Sequence, residues 1–130
     1  MTAAFILFFL VVLVGNFLID RYQIKQGMII NHSVEAFFRG MLLVANALYF
    51  SYDLVSFFAL LIIQMVWFWI WFDVLINVFA LKMPPLYVGK TAAIDKFFRN
   101  RFSNSFEETV LITKGACLII SSVLAFIVLT

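Results

Sequence analysis

Three apolar segments, each long enough to cross a lipid bilayer, constrain this chain more than any motif in it. They cover residues 2–19, 54–72 and 110–129, and the only charge among them is Lys114. A helix needs about 20 apolar residues, at 1.5 Å rise each, to cross roughly 30 Å of hydrocarbon. The sequence therefore predicts an all-α integral membrane protein.

Composition excludes a soluble globular domain. Hydrophobic residues make up 65% of the 130 residues and charged residues 12%, whereas soluble domains have roughly 45–50% and about 25%. The length leaves room for one transmembrane domain, residues 1–130, without a separate soluble module. Because Cys117 is the only cysteine, an intrachain disulfide and a cysteine metal site are excluded.

A fourth span is predicted in residues 34–52. Its uncharged part is too short to cross a bilayer, but the preceding turns lengthen it. Glu35 and Arg39 are four residues apart, so they face each other on a helix and can pair. A paired charge near a helix end costs much less than a lone charge at the bilayer centre. We therefore predict a four-helix bundle with spans at about 2–19, 34–52, 54–81 and 106–129.

The distribution of Lys and Arg predicts the orientation. The first connection carries Arg21 and Lys25, the second carries no basic residue, and the third, residues 82–105, carries five. With four spans, the first and third connections lie on the same side, which the positive-inside rule assigns to the cytoplasm. Both termini are then expected outside the cytoplasm. The first segment lacks a preceding basic region and a small-residue cleavage site, which favours an uncleaved anchor over a signal peptide.

Local signals predict where helices begin and end. Asn31 or Ser33 is expected to cap the second helix. Ser105 and Glu108 have the spacing of a capping box, in which each side chain accepts a hydrogen bond from the other residue's backbone N–H. The Pro84–Pro85 pair is expected to end the third helix. That helix, about 42 Å long, must tilt, bend or protrude from the bilayer.

One segment between the third and fourth spans, at about residues 91–102, is amphipathic. Phenylalanines at spacings of three and four fall on one side of it, and charged residues fall on the other. This pattern indicates a short interfacial helix in the headgroup plane of an anionic leaflet, or a helix docked on the ends of the spans. The residues expected to contact lipid are Lys90, Lys96, Phe97, Phe98, Arg99, Arg101 and Phe102.

Polar side chains at membrane depth form the candidate site. Asp73 and Asn77 lie one turn apart on the third helix, and Lys114 lies two turns into the last helix from the same side. Intramembrane charges usually face other helices and pair. We therefore predict a polar cluster of Glu35, Arg39, Asp73, Asn77 and Lys114. It is either an interhelical fastener or a pocket for protons, ions or a lipid headgroup. Interhelical or intersubunit hydrogen bonds are expected from Asn16, Asn46 and Gln64.

Two stretches, residues 71–77 and 85–98, carry a resemblance to a known group of proteins. The first has Asp73 and Asn77 one turn apart, and the second has Tyr87-x-Gly89-x-Thr91 followed by an Asp at the start of a short helix. In these elements the chain resembles small uncharacterised membrane proteins of bacteriophages that infect Bacteroidetes hosts. The resemblance implies a phage or prophage origin and a bacterial inner membrane or virion membrane. It implies no functional residues.

Two classes of function follow as hypotheses. The first is a non-enzymatic protein that acts by helix oligomerisation, as a holin-like pore former or a virion membrane component. The second is a small transporter or lipid-handling protein that uses the polar cluster. An accessory subunit of a large membrane complex is a third possibility, since such a subunit needs only helices. We predict no enzyme activity and no cofactor, and the expected partners are the bilayer and other copies or membrane proteins, with no nucleic acid.

Overall fold

The computed structural model describes residues 2–28, 32–88, 93–102 and 105–130, and the described part of the chain is helical with no strand. The helices are α1 (Thr2–Lys25), α2 (His32–Phe50), α3 (Leu54–Leu75), α4 (Ala93–Arg101) and α5 (Phe106–Leu129). A π-helical segment, Ile76–Leu81, continues α3 without a break. The prediction of an all-α chain is confirmed.

Three helices are long and apolar enough to cross a membrane. They are α1, α3 together with its π-helical extension, and α5. The prediction of a membrane protein with transmembrane helices is confirmed to this extent. Helix α2 is 19 residues long and is not among them, because Glu35 and Arg39 lower the hydropathy of its first half.

Helix α3 lies at the centre and packs against α1, α2 and α5. Phe9 and Phe17 of α1 contact Trp67 and Phe79 in the same order along the chain, so α1 and α3 run parallel. Helices α2 and α5 run antiparallel to α3. The Thr2 hydroxyl donates to the Leu129 carbonyl at 2.8 Å, so the first turn of α1 meets the end of α5.

Helix α1 extends beyond the predicted span end at residue 19. Residues 20–25 are polar enough to suggest a connection, but the helix continues through them to Lys25. It stops where Gly27 adopts a left-handed φ of 65°. The Gly27 N–H donates to Ile24 and the Met28 N–H to Gln23, which is the bonding pattern of a Schellman motif.

One of the two predicted helix caps is tested by the structure. For α2, Ser33 lies inside the helix, and the alternative cap, Asn31, lies outside the described residues. Ser105 is the N-cap of α5, as expected, but its side chain makes no capping hydrogen bond. Its ψ of 26° is outside the extended region that aims an N-cap side chain at the N3 N–H. The Ser105 hydroxyl lies 3.4 Å from the Thr109 hydroxyl instead, so the capping-box prediction is wrong.

The interior is divided into clusters, two of which join α1, α2 and α3. At the termini end, Phe5, Ala47 and Leu60 are buried together. At the middle of the molecule, Phe9, Leu43 and Phe68 belong to a second cluster. Because lipid is as apolar as these side chains, close packing and interhelical hydrogen bonds, rather than escape from water, favour such contacts between transmembrane helices.

Candidate functional site

The five predicted cluster residues divide into three groups. Glu35 and Arg39 belong to a group between α1 and α2, Asp73 pairs with Lys114 between α3 and α5, and Asn77 binds a turn of the chain. Among the described residues, the contact that brings Arg39 nearest to the second group is with Phe72, the neighbour of Asp73 in the chain. The Arg39 guanidinium lies 4.6 Å from the centroid of the Phe72 ring. The structure therefore brings the predicted charges to neighbouring places without forming one network.

Arg39 is the centre of the first group. Its Nη2 donates to the Asp20 carboxylate and, at 3.0 Å, to Glu35. Its Nε donates to the Asn16 amide oxygen at 3.2 Å. The Asp20 side chain is only 5% exposed, so this guanidinium joins two helices through hydrogen bonds that are almost removed from water. Asp20 was not predicted as a site residue, although a lone Asp at the end of an 18-residue uncharged run was a visible signal.

The second group is the ion pair of Asp73 and Lys114. The Lys114 ammonium donates to the Asp73 carboxylate at 2.5 Å and lies 5.1 Å from the centroid of the Trp69 ring. The Lys114 side chain is 14% exposed and the Asp73 side chain 39%. Of the two bases that the sequence offered to Asp73, the structure pairs it with Lys114.

A cavity of about 290 Å³ opens beside this ion pair. Asp73 and Lys114 contribute to its wall together with Gly115. The rest of the wall is apolar and comes from α3, α5 and the turn that follows the π-helical segment, through Ile70, Val74, Pro85, Leu86, Leu111 and Leu118.

The Asn77 side chain bonds to backbone carbonyls rather than to the ion pair. Asn77 is 6% exposed, and its amide donates to the Tyr87 carbonyl at 2.8 Å and to the Pro85 carbonyl at 3.3 Å. Its own carbonyl accepts from the N–H of Lys82 and of Met83. Asn77 therefore fixes the turn that closes one side of the cavity.

Deeper hydrogen bonds join the helices within the chain. The Asn46 amide donates to the Gln64 side-chain oxygen at 2.6 Å, and the Gln64 amide donates to the Leu60 carbonyl at 3.2 Å. Both side chains are almost fully buried. Trp67 donates to Ser121 at 3.1 Å, which joins α3 to α5. The expected interhelical role of Asn46 and Gln64 thus appears between α2 and α3 of one chain.

Helix α4 contacts α5 and has two different sides. Phe98 packs against the cluster that contains Phe106, and the Arg99 guanidinium lies 5.0 Å from the centroid of the Phe106 ring. Of the predicted lipid contacts, these two therefore face α5. The exposed ones are Lys96, Phe97, Arg101 and Phe102. Lys90 lies outside the described residues.

Both charged groups lie far from the termini end of the molecule. Residues 2–19 of α1 precede Asp20, and residues 54–72 of α3 precede Asp73, without a charge in either stretch. Each stretch is about 27–28 Å of helix, close to the hydrocarbon thickness of about 30 Å. The charged groups are therefore separated from the termini end of the molecule by about one hydrocarbon thickness.

Within the described ranges, no three His, Cys, Asp or Glu side chains come together in a way that could hold a metal ion. A comparison with known proteins matches the chain to no protein family, no curated protein and no solved structure.

Proposed function

We propose that this chain is a non-enzymatic, multi-span membrane protein that acts by association of its helices with other copies in a bilayer. The two biological forms of this role are a holin-like pore former and a membrane component of a phage particle, in line with the resemblance of residues 71–77 and 85–98. In both forms α2 is a fourth span. Arg39 of α2 contacts Asp20 of α1, and Phe50 of α2 contacts Phe5 of α1, so the two helices run side by side in opposite directions.

One observation carries the proposal, and it is a stripe on the outer face of α5. Exposed apolar residues recur there at alternating spacings of four and three, which is the heptad spacing of helices that pack along a shared seam. They are Ile112, Ala116, Ile119, Val123 and Phe126. This surface, which we call the α5 stripe, has no partner within the described part of the chain.

The charged and amide groups at membrane depth support the same role. The Arg39 group and the Asp73 pair form ion pairs inside the chain, and the Asn46 amide donates to Gln64 of the same chain. They hold one copy together, so they leave the outer faces to mediate contacts between copies. The aromatic residues Trp67 and Phe68 of α3 also contact other helices of the same chain.

A cysteine scan along α5 tests association. In a Cys117→Ser background, we expect Ile112→Cys, Ile119→Cys and Phe126→Cys to form disulfide-linked dimers in bilayers. The matched controls Leu118→Cys and Ser121→Cys face α3, where Ser121 is bonded to Trp67, and should not crosslink. Equal crosslinking at all five positions, or at none together with a monomer in native mass spectrometry, would contradict the proposal.

A permeability assay separates the two forms of the role. Expression of a pore former releases a small dye from cells or loaded vesicles, and Ile119→Lys, which places a charge in the α5 stripe, should abolish release. Crosslinking along the stripe without dye release would identify a membrane component that is not a pore.

A lipid-handling or transport role is the second candidate. The cavity beside Asp73 and Lys114 is the observation that favours it, because it joins charged groups to an apolar wall.

A further inference from the structure

The ion pair of Asp73 and Lys114 leaves hydrogen-bonding capacity facing a cavity. Lys114 has three N–H donors, and its one described hydrogen bond goes to Oδ2 of Asp73. The other carboxylate oxygen of Asp73 has no described partner, and the side chain is 39% exposed. The site therefore offers an anionic hydrogen-bond acceptor and cationic N–H donors side by side.

The wall of the cavity requires an occupant with an apolar part. Ile70, Leu111 and Leu118 supply aliphatic surface from two helices, and Leu86 supplies it from the turn held by Asn77. A free ion or a polar metabolite would leave this surface uncovered. The volume of the cavity, about 290 Å³, is that of roughly ten water molecules at about 30 Å³ each. A methylene group is of similar size, so the cavity has room for roughly ten of them.

The depth of the cavity in the bilayer indicates which molecules can occupy it. Asp73 follows about 28 Å of uncharged α3, so it lies at the boundary between hydrocarbon and headgroups on the side of the basic connections. Phospholipid phosphates and the first methylenes of their acyl chains are found at this boundary.

We propose that this cavity binds one phospholipid whose headgroup carries both a phosphate and a primary ammonium. The phosphate accepts hydrogen bonds from Lys114, and the ammonium donates to the outer oxygen of Asp73. The upper part of an acyl chain lies along the apolar wall. The proposal stands independently of association through the α5 stripe, because it uses a different surface of α5.

The test is native mass spectrometry of the whole chain, titrated in detergent with three lipids that have identical acyl chains. They carry an ethanolamine, a glycerol or a choline headgroup. We expect one ethanolamine lipid per chain, bound about tenfold more tightly than the others, as loss of one charge-assisted hydrogen bond implies. The glycerol lipid lacks the ammonium, and the choline ammonium has no N–H donor.

Two glycine variants form the matched pair. A Cβ added at Gly115 or at Gly15 meets nothing within 4 Å, so both sites accept a larger side chain. Gly115 lines the cavity and Gly15 lies on α1, away from it. Gly115→Phe should abolish the headgroup preference, and Gly15→Phe should retain it. If Gly115→Phe does not fold, Leu86→Trp narrows the cavity from the exposed turn and should have the same effect.

Three results would overturn the proposal. Equal affinity for the three lipids would remove headgroup recognition. An equal loss of binding in the Gly115 and Gly15 variants would show lipid adhesion without a defined site. Displacement of the lipid by inorganic phosphate at equal concentration would identify a site for the free anion.

Discussion

At the level of single residues, the two charged groups differ in how completely they are removed from water. Asp20 is 5% exposed and shares Arg39 with Glu35, whereas Asp73 is 39% exposed and pairs with Lys114 alone. Loss of one partner from a buried pair costs about 3–5 kcal/mol, and exposed pairs contribute about 0.2–1 kcal/mol. Removal of one partner from the Arg39 group is therefore expected to destabilise the fold more than removal of one partner from the Asp73 pair.

The first prediction concerns Asp73→Asn. This change leaves the largely buried Lys114 without a compensating charge, at a site that the exposed Asp73 side chain opens to the surroundings. The free energy of unfolding should therefore fall by about 1–3 kcal/mol, between the values for exposed and buried pairs. Thermal melting of the variant in detergent or nanodiscs measures the loss.

The double variant Asp73→Asn, Lys114→Met is its control. Removing both charges should recover much of the loss, since no uncompensated charge remains. A double variant as unstable as the single one would show that Asp73 does not act through Lys114. Asp20→Asn should lower the melting temperature more than Asp73→Asn does.

At the level of helices, the start of α3 is fixed by a capping box that sequence reasoning did not identify. The Asp53 side chain accepts from the Ser56 N–H at 2.6 Å, and the Ser56 hydroxyl accepts from the Asp53 N–H at 3.0 Å. Asp followed three residues later by Ser was a visible signal for it. The hydrogen bond from the Ser56 backbone N–H, reinforced by the Ser56 side chain, lowers the pKa of Asp53 below its usual 3.8.

The second prediction is the pH dependence of this cap. Because the pKa of Asp53 is lowered in the folded chain, its stabilisation is complete above about pH 3.8 and is lost as the pH falls through the folded-state pKa. Asp53→Ala should therefore melt below the native chain at pH 6, and the difference should shrink at pH values below 3.8. Melting temperature measured against pH tests this.

Asp53→Asn provides the comparison for that titration. The amide oxygen of this variant can accept from the Ser56 N–H at every pH. The melting temperature of Asp53→Ala should stay below that of Asp53→Asn by a constant amount at all these pH values. The role of the ionised cap would be disproved if Asp53→Ala also stayed below the native chain by a constant amount down to about pH 2, well below the ordinary pKa of an Asp.

The end of α3 depends on Asn77 as its start depends on Asp53. The helix widens into π-helical geometry over Ile76–Leu81, and Lys82 then adopts a left-handed φ of 57°. For a residue with a side chain this conformation costs about 1–2 kcal/mol. The hydrogen bonds of Asn77 to the following turn offset that cost and hold the turn against the helix end.

The third prediction concerns Asn77→Leu. Loss of the bonds to Pro85 and Tyr87 should free the turn. The backbone amides of residues 86–88 should then exchange hydrogen at least about tenfold faster, since the loss of even one hydrogen bond has roughly this effect. Hydrogen exchange read by mass spectrometry measures this. Asn100→Leu, on the exposed side of α4, should leave the same amides unchanged, and unchanged exchange in both variants would refute the role of Asn77.

At the level of the whole molecule, both chain ends lie together. The Thr2 hydroxyl contacts the Leu129 carbonyl, and the basic connections lie at the ends of α1 and α3 that are far from it. This arrangement fits the four-span topology that we propose, for which the positive-inside rule gives an orientation.

The fourth prediction is that both termini face away from the cytoplasm. Reporter fusions at residue 130 should be active only in the outer compartment, and a cysteine introduced by Lys96→Cys in a Cys117→Ser chain should be labelled only from the cytoplasmic side. A C-terminal fusion active in the cytoplasm would eliminate the four-span topology.

Much of the architecture was readable from the sequence, because span length and charge are local properties. Eighteen or more apolar residues must form a hydrogen-bonded helix in lipid, so α1, α3 and α5 followed from composition alone. Asp73 was also correctly expected to pair with a neighbouring base, since the cost of burying a charge alone holds in any fold. The same argument applies to Asp20, whose role was not predicted.

The choice of partners required the tertiary structure. Arg39 had several carboxylates at the same depth, and only the packing of α1 against α2 assigns it Asp20 as well as Glu35. Asn77 shares a helix face with Asp73 in the sequence, but the π-helical geometry and the returning turn direct it to Tyr87. Hydropathy fixes how deep a residue lies, and it contains no information about which helix stands beside it at that depth.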